Sequence, residues 1–467
     1  MINVEADYSG LATSKEELKE NLRNLNRPIS IEELTEILGS TVKHDNENKA
    51  ICFLTMLLTY TSEDQINIGF IAESSTGKSY IPLELAWYFP QEDVLEYGYS
   101  SPTAFFHDYG SVERDPFNER HKIIHVNLAK KILIFLDQPH DALLQRLRPL
   151  LSHDRRKITL KITDKKEKSG LRTKTVILEG FPTVIFCAAK FRMEDQEKTR
   201  LLLLSPEISQ EKLRESVWLK ILRESNREIF NKRMEEDLDR KFLATRVWAI
   251  KNAGINYVII PEELSQKIYE EFLNLHKNLV PRHQRDISRL LALVKAHALL
   301  NFMHRKREGD AIITTEEDVK VGFQLYEGVS EANEHGLSPE IWRIYKTIKP
   351  YFNGNGLTRR DFQQIYFQKF HKPIGYDYAG LILKTLTGTG LITEEADPND
   401  KRVIRYMSFE GGVTSPEHSS SIQNGIPHPP DSYICEVCGR PTNKCYPREG
   451  RLVWLCDNCL SKWEGSL

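Results

Sequence analysis

Residues 72–79 read Ala-Glu-Ser-Ser-Thr-Gly-Lys-Ser. They follow a short apolar run, INIGFIA (66–72), and open a stretch with helical apolar spacing, SYIPLELAWYF (79–89). A strand, a loop of small residues and then a helix is the context in which backbone N–H groups wrap phosphate oxygens. In such a loop Lys78 reaches the outer phosphates and Ser79 holds magnesium. Ala72, Glu73, Ser74, Ser75, Thr76 and Gly77 shape the cradle. Ala72 stands where this pattern usually has its first glycine.

Two further apolar runs accompany the loop, KKILIFLD (130–137) and TVIFCAA (183–189). Runs this short and uninterrupted predict strands covered on both faces. Strands alternating with longer helical stretches predict an α/β sheet. Asp137 ends the second run, where a strand tip would set its carboxylate beside magnesium. The next residue is Gln138, and an amide can hold a water but cannot take its proton. If the water attacking ATP is activated by a carboxylate, Glu73 is the nearest candidate and Glu113 a weaker one. Arg200 follows the third run. Arg282, Arg285 and Arg289 lie on a predicted helix with an apolar face. Contact with nucleotide and a solvated basic face are both open readings for these arginines.

The chain has 467 residues, 40% hydrophobic and 28% charged, with a net charge of −2. That predicts several globular domains, with any basic surface local rather than general. No run of 18 apolar residues occurs, so no membrane span is expected. The N-terminus is acidic and lacks the basic, apolar start of a secretory signal, which points to the cytoplasm.

The organisation predicted from these patterns is as follows. Residues 1–48 form a helical N-terminal segment, with Ser-capped stretches at 14–25 and 30–40. Residues 49–305 form the nucleotide-binding domain, and 306–337 a connector. Residues 338–407 read as three helices and a hairpin, and 408–431, rich in Ser, Pro, Gly and His, as a flexible linker. Residues 432–467 hold Cys435, Cys438, Cys456 and Cys459. Two Cys-x2-Cys knuckles supply four thiolates, which suit tetrahedral Zn2+ in a structural ribbon. Cys445 has no partner in that pattern, and Cys52 and Cys187 sit in apolar runs as buried thiols.

Residues 155–174 contain nine Lys or Arg and two acidic residues. They read as two strands with a basic tip at Lys165, Lys166 and Lys168, and with Arg172 and Lys174 on the return strand. Contacts from such a tip to DNA phosphates would be independent of sequence and sensitive to salt.

On these motifs the chain resembles the MCM-like AAA+ DNA helicases, including relatives from archaeal plasmids and viruses. The resemblance covers about 49–305 and 338–407. It is carried by the two nucleotide motifs, by RHQRDISRLLALVKAHALLN (282–301), similar to the sensor 2 helix, and by 153–180, similar to the pre-sensor hairpin. The stretch 97–110 resembles the helix-2 insertion. The resemblance implies an AAA+ P-loop ATPase core with a helical lid, then a winged helix and the zinc ribbon. It implies Arg285 as sensor 2, Arg200 as a finger toward a neighbouring subunit, and a homo-oligomer, a hexameric ring. Gln138 departs from the family's glutamate, and Ala188-Ala189-Lys190 from its sensor 1 asparagine. The expected activity is ATP-dependent DNA unwinding in replication. An ATP-switched initiator or loader with little hydrolysis is the alternative. A transcriptional regulator is a third reading, suggested only by the winged helix with a ribbon.

Overall fold

The computed structural model describes residues 27–98, 110–115, 118–139, 141–164, 172–188, 200–352, 356–397, 400–408, 433–434, 441–442, 445–448 and 451–454. In chain order the helices are α1 (Ile31–Leu38), α2 (Asn46–Leu57), α3 (Tyr80–Ala86), α4 (Asp141–Leu151), α5 (Gln210–Ser225), α6 (Arg227–Glu236), α7 (Leu238–Asn252), α8 (Glu262–Leu275), α9 (His283–Leu300), α10 (Glu316–Glu334), α11 (Pro339–Ile348), α12 (Arg359–Phe370) and α13 (Tyr376–Gly388). The strands are β1 (Asn67–Ile71), β2 (Val94–Tyr97), β3 (Gly110–Asp115), β4 (Asn118–Asn127), β5 (Ile132–Phe135), β6 (Lys157–Asp164), β7 (Arg172–Glu179), β8 (Thr183–Ala188), β9 (Leu201–Leu204), β10 (Tyr257–Ile259), β11 (Arg307–Glu308), β12 (Ala311–Ile313), β13 (Ile392–Ala396), β14 (Ile404–Ser408), β15 (Tyr433–Ile434), β16 (Pro441–Thr442), β17 (Cys445–Arg448) and β18 (Arg451–Trp454). The fold is mixed α/β around a parallel central sheet. Two units separate along the chain, Met1–Glu410 and Gly411–Leu467.

The central sheet runs β2-β5-β8-β1-β9, with every pairing parallel. Its strands bury both faces, which is why they read as unbroken apolar runs. Side chains alternate between two cores. Ile68, Phe70, Ile132, Ile134, Ile185, Cys187, Leu202 and Leu204 join α1, α2, α7, α9 and α10 on one face. Leu133, Phe135, Val184, Phe186, Leu201 and Leu203 join α4 and a second sheet on the other. On that side Tyr97, Phe135 and Phe186 stack across three neighbouring strands, with ring centroids 5.1 and 5.3 Å apart.

The second sheet has the order β3-β4-β7-β6. Two antiparallel hairpins, β3–β4 and β6–β7, meet through the parallel pairing of β4 with β7. Ile124, Val126, Val176 and Leu178 press this sheet onto the central one. Gly180 makes the turn from β7 to β8 at φ 92°, where a Cβ would lie 2.4 Å from the Ala129 nitrogen, so the approach requires glycine.

The boundaries expected at 48 and 306 cut through one core. Ile31, Leu34 and Leu38 of α1 pack in the same cluster as β1 and α9, and so do Val319, Phe323 and Tyr326 of α10. The capped start of α1, where Ser30 Oγ accepts from the Glu33 N–H at 3.2 Å, aims that face inward. The connector is likewise load-sharing: Asn333 donates to the Leu203 carbonyl and accepts from its N–H, both at 2.9 Å, tying α10 to the sheet edge.

Residues 337–408 build their own core from α11, α12, α13 and the β13–β14 hairpin, centred on Ile344, Phe352, Phe362, Ile382, Leu383, Leu386 and Tyr406. Thr358 and Asp361 form a capping box at the start of α12. In the second unit, β15 pairs with β16 and β17 with β18, both antiparallel.

Candidate nucleotide site

The loop 72–79 leaves the carboxyl end of β1 and enters α3. Ser75 and Gly77 take left-handed backbone at φ 67° and 95°, and nothing lies within 4 Å of where a Gly77 Cβ would sit. Left-handed residues so closely spaced turn successive peptides over. The loop's carbonyls face back into the protein. Glu73 O accepts from Thr76 Oγ1 at 2.9 Å and from Lys78 Nζ at 3.2 Å. Thr76 O faces Lys212 Nζ at 3.4 Å, Gly77 O accepts from Ile81 N at 3.0 Å, and Lys78 O accepts from Cys187 Sγ at 3.4 Å. Ser74 and Ser75 are exposed and lie in a hydrogen-bonded turn. Inward-facing carbonyls beside left-handed Ser75 and Gly77 make the loop a candidate anion cradle.

Burial pushes the Cys187 thiol up to about 12, so its sulfur acts as a neutral S–H clamp between β8 and the loop. Cys52 is buried beside it.

Sheet register places Asp137. Ile134 pairs with Ile185 and Ile185 with Ile68, so Asp137 extends the same row as Ala188 and Ile71. It therefore sits at the carboxyl edge, two strand spacings or about 10 Å from β1. Ligands of open parallel sheets bind outside that edge. Asp137 is exposed, and its Oδ1 accepts from the Gln138 N–H at 2.8 Å. Gln138 is half-buried beside it. The Glu73 carboxylate points elsewhere, to Lys372 Nζ at 3.0 Å. Glu113 lies on β3, opposite Ile123 of β4.

Sequence reading missed what holds the loop from beneath. Asp45, left-handed at φ 51°, is fully buried and forms an ion pair with Lys212 Nζ. Asp45 also accepts from the Glu207 N–H at 2.6 Å and from Asn48 at 2.9 Å, while Lys212 reaches Glu207 O at 2.9 Å. These partners are 167 residues apart, so no local spacing marks them.

The arginines separate. Arg289 is buried, tied to Asp286 at 2.5 Å and to the Leu201 carbonyl at 2.7 Å, and burial pushes its guanidinium down to about 10. It anchors α9 to the sheet edge. Arg282 is buried against Asp286 at 3.5 Å. Arg285 is exposed on the same helix. Arg200 is half-buried and donates through Nε to Ser152 Oγ of its own chain.

A titratable cluster joins the end of α8 to α9 and α10. His276, His283 and Glu334 offer ligand atoms within 4.8 Å of one another. The donor set does not fit a metal ion. The Val280 N–H donates to His283 Nδ1 at 3.1 Å, which puts the neutral ring's proton on Nε2, 3.5 Å from Glu334 Oε1. A protonated ring nitrogen cannot ligate. The cluster is a joint between helices.

Burial lowers the imidazoles of His153, His276, His283 and His335 below their ordinary 6.5. On acidification the unfolded chain therefore takes up these protons first. Their stability is fully present above pH 6.5 and is lost as pH falls through and below that value. Glu340 works the other way, because burial and the nearby Glu73 raise it from 4.5 to about 6. Four imidazoles against one carboxyl predict a melting temperature that drops by several degrees from pH 7.5 to 5.5. A constant or rising value in a thermal scan would contradict this.

The hairpin strands β6 and β7 pair out to Asp164 opposite Arg172, and Lys174 lies opposite Ile162. Lys165, Lys166 and Lys168 lie outside the described residues, as do Cys435, Cys438, Cys456 and Cys459. Cys445 begins β17, opposite Trp454. No protein-family model matches the chain, and no curated protein shows a significant sequence match to it.

Proposed function

We propose that this chain is an ATP-dependent DNA helicase or translocase of MCM-like type, acting in DNA replication as a homo-hexameric ring. The observation that carries the reading is the loop 72–79, whose carbonyls are bonded inward and whose Ser75 and Gly77 are left-handed at the carboxyl edge of the sheet. Lys78 would meet the outer phosphates. Ser79 and Asp137 would hold Mg2+, which neutralises charge on the phosphates. The strand order supports an AAA+ core, because it sets β8 between the loop strand and the Asp137 strand, and the α8–α10 helices support the lid.

A grip on DNA is assigned to the basic hairpin tip, Lys165, Lys166 and Lys168, with Arg172 and Lys174. Three helices followed by the β13–β14 hairpin support a winged helix. Its α13 carries Lys384 as its single Lys or Arg, and Lys401 and Arg402 are exposed on the wing. Arg405 pairs with Asp397. The ribbon cysteines would hold Zn2+ as a structural ion that supplies folding energy to a unit too small for a core. Self-association is supported by the outward side of α5 and α6, where Val217, Trp218, Ile221 and Ile229 are 48–64% exposed.

ATP-driven displacement of a labelled strand from forked DNA tests the reading. Wild type should displace it. Lys165→Ala/Lys166→Ala/Lys168→Ala should not, and its DNA affinity should fall less steeply with salt, by a log–log slope of about 2–3. Unchanged displacement by the triple variant would remove the hairpin from the mechanism. The alternative, an ATP-switched initiator or loader with little hydrolysis, is favoured by Gln138 and by the engagement of Glu73 with Lys372, which leave neither residue placed as a base.

A further inference from the structure

The loop residue Glu73 is held at both ends. Its carbonyl accepts from Lys78 Nζ at 3.2 Å, and its carboxylate accepts from Lys372 Nζ at 3.0 Å. Lys372 lies 299 residues away, in the turn between α12 and α13. That turn is rigid. His371 is left-handed at φ 50°, Pro373 fixes the backbone after Lys372, and Gln363 Nε2 donates to the Ile374 carbonyl at 2.7 Å. Behind it, buried Glu340 accepts from Tyr378 Oη at 3.4 Å, and the charge of Glu73 reaches both groups. The Lys372 cation is thus paired with a carboxylate inside the 72–79 loop, and its charge also reaches Glu340.

We propose that Lys372 is part of the nucleotide site: its ammonium neutralises Glu73 so that the loop can accept a triphosphate, which links nucleotide occupancy to the seating of the α11–α13 unit. The proposal rests on the reading of 72–79 as an ATP loop. A bare carboxylate beside the cradle repels the phosphates it is meant to admit. The side chains are 39% and 23% exposed, so solvent screens that repulsion only in part. Linkage is reciprocal, so bound nucleotide should also tighten the turn. Lys372 acts through Glu73 and is a positioning residue.

Equilibrium titration of the full chain with fluorescent ATP tests this. Lys372→Ala should weaken binding about fivefold. Lys372→Arg should restore it. In a Glu73→Gln background, adding Lys372→Ala should cause no further loss of affinity, since no charge is left to neutralise. Amide exchange at residues 371–375 should slow when ATP is added. Wild-type affinity in Lys372→Ala, with Lys78→Ala still weakened, would overturn the proposal and leave the loop reading standing. An equal loss from Lys372→Ala with or without Glu73 would overturn it too. Wild-type affinity in Lys78→Ala would overturn both.

Discussion

Replacing Lys78 with alanine is expected to weaken ATP binding by about tenfold to a hundredfold, the range for losing a hydrogen bond to a charged group. The fold should survive. Lys78 Nζ has one hydrogen-bond acceptor among the described residues, the Glu73 carbonyl, and that carbonyl keeps Thr76 Oγ1 when the amine is gone. The backbone that shapes the cradle is set by Ser75 and Gly77, and the Cys187 clamp binds the Lys78 carbonyl rather than its side chain. The loss is therefore specific to the anion. Titration with labelled ATP, checked by an unchanged melting temperature, measures it. Equal affinity in the variant would mean that the phosphates lie elsewhere.

The second large effect is on stability. Lys212→Met should destabilise the protein by about 3–5 kcal/mol, the cost of leaving one member of a buried ion pair without its partner. Asp45 is fully buried, and the Lys212 side chain is 9% exposed. The backbone of Asp45 is already in a left-handed conformation, held there by its bonds to the Glu207 N–H and Asn48. Asp45→Asn/Lys212→Met should recover much of the loss, because neither charge is then stranded. Urea unfolding of the two single variants and the double variant reads this directly. A loss below about 1 kcal/mol in Lys212→Met would place the pair in the solvent-screened class. Because Lys212 also faces the Thr76 carbonyl, the same variant should loosen the phosphate loop.

The parts of the site legible in the sequence are those fixed by local pattern. Strands β1, β5 and β8 are covered on both faces, so each is an apolar run. The loop follows one of them, and Asp137 ends another. The three helices and hairpin expected over 338–407 are α11, α12, α13 and β13–β14. Of the second sheet, β6 and β7 showed as the basic hairpin, but β3 and β4 did not, because they carry charged residues through ERD and NERHK and lack a clean alternation. Strands β10 to β12 have two or three residues each, too few for a period. Asn226 and Asp237 cap new helices with their own side chains and so separate α5, α6 and α7. The apolar face of α1 completes the same core as the sheet, a contact no local pattern before residue 48 marks. Asp45–Lys212 and Glu73–Lys372 exist only through tertiary folding.

Arg282, Arg285 and Arg289 share one predicted helix, and the resemblance alone singles out Arg285. Packing makes them unequal: Asp286 and the Leu201 carbonyl engage Arg289, Asp286 engages Arg282, and Arg285 alone of the three is exposed.

The most direct measurement is steady-state ATP hydrolysis by the full chain, with and without single-stranded DNA, beside Lys78→Ala. A DNA-driven motor predicts turnover that rises when DNA is added and vanishes in the variant. Tight ATP binding with no turnover in either condition would contradict the motor and leave a nucleotide-switched protein.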